Sequence, residues 1–329
     1  MQAAFYEATG AAREVLHVGQ VEMPQPGPGE VRVRVVCSGV NPSDVKSRAG
    51  LRNKTLPFPR VVPHSDGAGV IDAVGEGVPA HRVGERVWLW NAGWKRAWGT
   101  AAQYVALPAA QAAVLPREVG FDAGACLGIP ALTAYHAAVV DGGVVGQAVL
   151  VAGGAGAVGH YAIQCARLLG ARQVIATVSS AAKGQLALQA GADLAINYRS
   201  DDVAARVREA TAGAGVDRVI EVDIAANAGL DLQVLKQGGD LVVYGSAGEF
   251  KLPFFPLIMQ HVRLRFFIVY ELDAADRQRS LAHLGAWLRR GALQHNVARR
   301  IPLADIAQAH ELVESGQALG NVVLDCSPG

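Results

Sequence analysis

The sequence has 329 residues, 51% hydrophobic and 18% charged, with a net charge of +1. That length supports two domains with cores of their own. The near-zero charge gives no electrostatic case for nucleic acid or an acidic membrane, and no uninterrupted apolar run reaches the about 18 residues of a membrane span.

The chain opens MQAAFYEATGAAREVL, with no basic stretch leading into an apolar one, so no signal peptide is expected. Residues 1–120 read as β-rich. Val31, Val33 and Val35 alternate with Arg32 and Arg34, the mark of a half-buried strand, after prolines at 24, 26 and 28. GAGVIDAVGEG from Gly67 and RVGERVWLW from Arg82 give two more strand-and-turn units. Short strands at close spacing suggest a partly open barrel. Four cysteines, Cys37, Cys126, Cys165 and Cys326, are scattered without a C-x-x-C pair, which suits a reducing cytoplasm and offers no zinc-cluster spacing.

From about Phe121 the pattern changes. Ala123 to Val140 reads as helix with an internal proline. Strand-like runs VLVAG, QVIATVS, LAINY, RVIEV, DLVVYGS and RLRFFIV follow, most separated by helical spans. That alternation predicts a parallel, doubly wound sheet. Beyond Tyr270 the spacing predicts a helix near 276–290, a strand near 296–300, a helix near 303–315 and a last strand NVVLDC. The expected layout is residues 1–124, a nucleotide domain at 125–270, and a return to the first domain at 271–329.

The stretch VLVAGGAGAVGHYAIQCARLLG, from Val149, carries most of the functional information. A short β-prone run leads into Gly154, Gly156 and Gly159, spaced G-x-G-x-x-G, and then into an amphipathic helix. The glycines serve a tight turn, close approach of a pyrophosphate and helix–strand packing. Backbone amides at the helix start, around Ala157 and Val158, then face the phosphates. The competing reading is a plain strand–helix turn. An NAD site expects an acid at the end of the second strand. Here that strand ends in Ser179 and Ser180, with Lys183 close behind, and no Asp or Glu appears until Asp193. Hydroxyls and an ammonium suit a 2′-phosphate, so NADPH is expected. The plainer readings are helix capping for the serines and a solvated surface lysine for Lys183.

Together with CSGVNPSDVKSRAG from Cys37, PHSDGAGVIDAVG from Pro63, GIPALTAYHA from Gly128, GADLAINYR from Gly191 and QGGDLVVYGS from Gln237, these motifs resemble the medium-chain dehydrogenase/reductase superfamily. The closer likeness is to its zinc-free quinone oxidoreductase, zeta-crystallin-like branch. The resemblance implies an α/β fold made of a GroES-like β-rich catalytic domain and a Rossmann domain with a doubly wound parallel sheet. It implies NADPH and reduction of quinones or other α,β-unsaturated carbonyls. It points to Tyr198 at the 2′-phosphate, Thr133 near the nicotinamide, Gly245 and Ser246 in a second cofactor loop, and Asn321 as a weak further contact. Thr133 and Tyr198 read equally as interior and packing residues.

Zinc members of the superfamily carry ligands where Asn41, Ser65 and Ile129 stand, so no metal is expected. His64 beside Asp66 reads as a loop histidine with a hydrogen-bond partner. Without a metal, donors must meet the charge that builds on a carbonyl oxygen. The candidates are Asn41 and Lys46, with Asp44 to orient or pair with the lysine. The hexapeptide NPSDVK matches the N-P-x-D-x-K of plant-type enone oxidoreductases, and a tyrosine of some quinone reductases is replaced near Arg52. Both points shift the expectation toward enones. The plain alternatives are a solvated helix start for Asp44 and Lys46 and a turn-forming Asn-Pro for Asn41. The cluster Trp88, Trp90, Trp94 and Trp98 is either a flat apolar pocket or barrel packing.

The apolar strand Arg263 to Tyr270 falls at the predicted sheet edge, which suggests a homodimer paired edge to edge. A zinc-free alcohol dehydrogenase fits less well, because no Tyr-x-x-x-Lys pair moves the alcohol proton. The alternative of another class is a nucleotide-binding, catalytically weak zeta-crystallin-like protein with a binding or RNA-related role. No basic-aromatic patch supports RNA.

Overall fold

Valines at alternate positions build the strand on which the first unit is assembled. Strands β1 (Gln2–Phe5) and β2 (His17–Gln20) pair antiparallel, with the short helix α1 (Ala12–Val15) between them. Strand β3 (Glu30–Val40) then buries Val31, Val33 and Val35 completely, leaving the arginines between them to the other face. After helix α2 (Pro42–Arg48) come β4 (Asp66–Val74), β5 (Arg86–Leu89), β6 (Tyr104–Pro108), β7 (Ala112–Val114) and helix α3 (Phe121–Gly124). The computed structural model describes residues 1–327 and separates them into two units, 1–129 with 281 onward, and Pro130–Ser280. The sequence pattern placed those joins at 124/125 and 270/271.

The second unit begins with α4 (Leu132–Val139) and continues β8 (Ala148–Val151), α5 (Ala157–Leu168), β9 (Gln173–Val178), α6 (Ala181–Gln189), β10 (Leu194–Asn197) and α7 (Val203–Ala210). It ends with β11 (Val216–Glu221), α8 (Ile224–Val234), β12 (Leu235–Val243), α9 (Phe254–Gln260) and β13 (Arg263–Phe266). The chain then runs through α10 (Ala274–Arg289) into the first unit and finishes with β14 (Val297–Pro302), α11 (Ile306–Glu314) and β15 (Asn321–Asp325).

In the first unit β3 is the hub. One edge pairs with β4 along most of its length. The other edge is shared: Glu30–Arg34 pair with β6, and Cys37–Val40 pair with β15. The sheet runs β14-β15-β3-β4-β5-β7, curled around a core that includes Ile71, Val87, Leu89, Leu107 and Leu324. Trp88 is buried in this barrel, so it packs rather than lining an open pocket, whereas Trp98 is exposed.

In the second unit six parallel strands stand in the order β10-β9-β8-β11-β12-β13. The run β8–β9–β10 goes outward to one side and β11–β12–β13 to the other. The order therefore reverses between β8 and β11, which is where an open parallel sheet offers its crevice. The edge strand covers only Arg263–Phe266, shorter than the apolar run predicted, because Val269–Glu271 close a 3₁₀ turn.

Candidate functional site

In the second unit the glycine turn lies at the carboxyl end of β8. The left-handed residue is Gly153, at φ +66°, just ahead of the G-x-G-x-x-G itself. Each glycine of the motif then has a separate steric reason. A Cβ on Gly154 would stand 2.6 Å from the Ala176 Cβ on β9, so that glycine lets the turn pack on the sheet. A Cβ on Gly159 would stand 2.2 Å from the Gly153 carbonyl oxygen, so that glycine lets α5 meet the turn. Gly156 is exposed, and a Cβ there would meet only that oxygen, at 3.1 Å. Of the three, it is the glycine with the weakest steric reason in the fold. Gly156 is the N-cap of α5, so Ala157, Val158 and Gly159 supply the first-turn amides that a helix leaves without internal partners.

The neighbouring strand ends form a second cluster on the same sheet edge. Asn197 of β10 pairs with Val178 of β9, so Ser179, Ser180 and Tyr198 emerge side by side. The Tyr198 N–H donates to the Val178 carbonyl oxygen at 3.0 Å, and its side chain is half exposed. Ser180 caps α6, its hydroxyl accepting the Lys183 N–H at 3.3 Å. The capping reading and the cofactor reading therefore fall on the same residue. Asp193, the next acid after β9, sits at the opposite end of the sheet. Its Oδ2 accepts the Val174 N–H at 2.8 Å, and it pairs with Arg167. Asp201 and Asp202 lie beyond β10 but are turned inward on their own loop, accepting N–H groups of Asn197 and Ala205. Gly245 and Ser246 follow β12. A Cβ on Gly245 would strike the Val222 carbonyl oxygen at 2.3 Å, and the Ser246 hydroxyl bonds to Gly248 O at 2.6 Å. Thr133 is buried within α4.

Sequence reasoning passed over a buried acid pair at the end of β11. Glu221 accepts the Asp223 N–H and, at 3.0 Å, an Asn227 amide hydrogen, and it shares a hydrogen bond with Asp231 of α8. Burial raises both carboxyls, that of Asp231 far enough to keep it protonated at neutral pH.

In the first unit the predicted residues gather around Asn41, the N-cap of α2. Its backbone N–H donates to Asp44 Oδ2 at 2.8 Å, and its side-chain amide donates to Asp66 Oδ2 at 2.9 Å. The same Asp66 oxygen also accepts the Ile129 N–H at 2.9 Å. Two buried carboxyls therefore hold Asn41 from two directions, and one of its two amide hydrogens is already committed. Asp44 turns back to cap its own helix. Positions 44 and 46 are two apart, which on a helix places them on different faces, so pairing with Lys46 is not the role its geometry gives it. Lys46 is half-buried. A Cβ on Gly128 would stand 2.3 Å from Asp66 Oδ1, so only glycine fits beside that carboxyl. Burial pushes the Asp44 carboxyl up to about 7. Burial, with the Asp44 charge adding to it, holds Asp66 well above the usual carboxylate range.

His64 is buried at φ +77° and bonds to Ser38 and His310, neither of which the sequence pattern singled out. Burial lowers His64 well below its ordinary value, and burial with the nearby Arg48 charge lowers His310 to about 3, so both rings are neutral. Asn321 lies in this first unit, on β15, where its amide donates to the Asn296 carbonyl oxygen at 3.2 Å.

Two family models match the chain: an alcohol dehydrogenase GroES-like domain over residues 27–117 and a zinc-binding dehydrogenase over residues 157–285. Quinone oxidoreductase of Lama guanicoe is 32% identical over 94% of this chain and 93% of its own length. Among solved structures, an NAD-dependent alcohol dehydrogenase aligns with TM-score 0.89 at 32% identity, covering 99% of this chain and all of the other. A mycobacterial protein complexed with NADPH aligns with TM-score 0.88 at 32% identity, covering 98% of this chain and 99% of the other. The zinc in the second model's name does not fit the side chains present. Asn41 and Ile129 supply no metal-binding side chain, the His64 ring is bonded on both nitrogens, and Asp66 Oδ2 already accepts two N–H groups. Among the described residues no three His, Cys, Asp or Glu side chains stand where they could hold a metal ion. With both domain models and a relative matched along almost its whole length, the chain is an oxidoreductase of the medium-chain dehydrogenase/reductase family, in its quinone oxidoreductase branch.

Proposed function

We propose that the protein is an NADPH-dependent reductase of α,β-unsaturated carbonyls, with enones preferred to simple quinones. The observation that carries the cofactor is the sheet edge at β9 and β10. Ser179, Ser180, Lys183 and Tyr198 collect there, while Asp193 is held at the far end of the sheet. An edge offering hydroxyls and an ammonium, with its nearby acids turned into their own loop, suits a 2′-phosphate better than two ribose hydroxyls. When bound, NADPH supplies a hydride. The chain's own task is to meet the negative charge that then builds on the substrate's carbonyl oxygen. The Asn41 amide and the Lys46 ammonium are the donors assigned to it. Asp44, raised to about 7, is a carboxyl able to hold and lend a proton at neutral pH. The partner is a second copy of this chain, joined through the β13 edge.

The test is oxidation of NADPH and of NADH, followed by nicotinamide absorbance with a chelator present, against a p-quinone, an o-quinone, a linear enone and a simple aldehyde. NADPH-driven reduction of the enone should be fastest. Lys46→Met should keep NADPH affinity and lose about a hundredfold in kcat, the scale of one oxyanion donor. Tight NADPH binding with silence on the whole panel would sink the reductase and favour a nucleotide-binding role. Unchanged kcat in the variant would remove Lys46 from the mechanism.

A further inference from the structure

A chain of hydrogen bonds through the first unit has only one possible direction. The Asp66 main-chain carbonyl oxygen can only accept, so Thr100 Oγ1 donates to it, at 2.5 Å. A hydroxyl has one hydrogen, so Thr100 must accept from Ser38 Oγ, at 2.8 Å. Ser38 must then accept from His64 Nδ1–H, at 2.8 Å. A neutral ring protonated at Nδ1 is bare at Nε2, so the 2.9 Å contact between the two histidines is a bond donated by His310 Nε2–H. That leaves His310 Nδ1 bare, and it is a buried atom with no partner. Every hydrogen in the relay is thereby assigned.

The relay begins on α11 and ends on the residue that holds Asn41. His310 lies 246 positions from His64 in sequence. Glu314, one helical turn further along the same face of α11, accepts from Arg48 Nη2 at 3.0 Å, and Arg48 belongs to α2, the helix that Asn41 caps. The helix thus grips the His64–Asp66 turn with one side chain and α2 with the next. His64 needs such support, because a left-handed backbone crowds the Cβ of any residue but glycine.

We propose that His310, seconded by Glu314, is a positioning residue that sets the Asn41 amide by fixing the tautomer of His64 and the turn that carries Asp66. The catalytic consequence rests on the reductase reading above, whereas the tautomers do not. Histidine nitrogen correlation spectra of the full-length protein should show His64 protonated at Nδ1 and His310 at Nε2. In His310→Leu, which has no donor, the Asn41 side-chain amide resonances should move and kcat should fall by about ten- to a hundredfold, the penalty for a small misplacement. NADPH affinity should stay within about twofold, since the glycine turn lies in the other unit. His310→Gln keeps an N–H donor and should recover both the resonances and most of kcat, a rescue that a merely structural role would not give.

The opposite tautomers in the wild type overturn the proposal. So do unmoved Asn41 resonances in His310→Leu, or equal loss in the Leu and Gln variants. If His310→Leu does not fold, Glu314→Gln must still shift the Asn41 resonances, or the idea fails. A wild type that reduces nothing on the panel but shows the expected tautomers and amide shifts would remove the reductase reading and leave the positioning relay standing.

Discussion

Asn41 is a small residue placed between two acids that cannot both ionise cheaply. Asp44 Oδ2 holds its backbone and Asp66 Oδ2 holds its amide, and both carboxyls are buried. The Asp44 shift has a consequence for stability whose sign follows from proton counts. Burial raises this carboxyl from 3.8 to about 7, so between about pH 4 and 7 the folded state keeps a proton that the unfolded state has released. Stability from this group is then greatest below pH 4, falls as pH rises, and levels off above 7. Asp44→Asn retains an acceptor for the Asn41 N–H and cannot titrate. The gap in unfolding free energy, variant minus wild type, should grow from pH 5 to 7 by up to about 1.4 kcal/mol per unit and then stay constant. Urea unfolding at four pH values measures it; a gap independent of pH would show that Asp44 ionises normally. His64 and His310 slope the other way in both proteins, being neutral when folded and lost to protonation below their unfolded values, so the difference cancels them. At this scale Asn41 and Asp44 were legible in the sequence because one hexapeptide carries them. The partners that hold Asn41 and His64 were not, since Asp66, Ser38, Thr100 and His310 converge from four separate segments, and no local pattern encodes a contact 246 positions away.

The elements were more legible than their joins. Each strand of the second unit is a short apolar run closed by glycine or a polar turn, and each gives way to a helix-period pattern, so type and order could be read directly. The hand-over at Pro130 could not, because Leu127–Ala131 form a single π turn that continues into α4 without a break in composition. The glycine turn shows how geometry separates roles that a motif merges. Gly159→Ala places a methyl against the Gly153 carbonyl oxygen at 2.2 Å, which the fold itself cannot accept. It should lower thermal stability as well as abolish NADPH binding. Gly156→Ala faces that oxygen at 3.1 Å in an exposed position, so the protein should fold with a melting temperature within about 2 °C of wild type, a stability change under about 1 kcal/mol. NADPH affinity should still fall at least about tenfold, because the added methyl occupies the space where a pyrophosphate approaches. Fluorescence titration and a thermal melt on each variant separate the two. Equal melting loss in both, or full NADPH affinity in Gly156→Ala, would mean that Gly156 serves the fold alone.

For the whole molecule, the exposed edge of the second unit is the surface through which we propose that two copies pair. β13 pairs with β12 on one side only, and all four of its residues are exposed. Leu264 and Phe266 of the strand itself, Phe250 stacked on Phe266, and Phe254, Phe255, Ile258 and Met259 of α9 are exposed apolar side chains, the kind of surface that marks an interaction site where it is contiguous. Charged residues commonly protect such an edge by repelling a second one. Here Arg265 is neutralised by Asp141 at 2.6 Å, whereas Arg263 shares the single Asp240 carboxylate with the buried Arg218, so one positive charge remains at the edge. The edge therefore offers unpaired backbone groups and apolar cover, with a single residual positive charge against them, and we propose that it pairs antiparallel with an identical edge across a two-fold axis. Light scattering during size exclusion at micromolar concentration should give a mass near twice the 34.4 kDa of one chain. Phe266→Lys removes an apolar side chain from the edge and adds a positive charge to each copy of it. It should shift the mass toward one chain while NADPH binding remains measurable, because the glycine turn and the β9–β10 edge lie away from β13. A wild type that runs as a monomer, or a Phe266→Lys variant that remains a dimer, would move the contact away from β13 and leave the apolar cluster without an occupant.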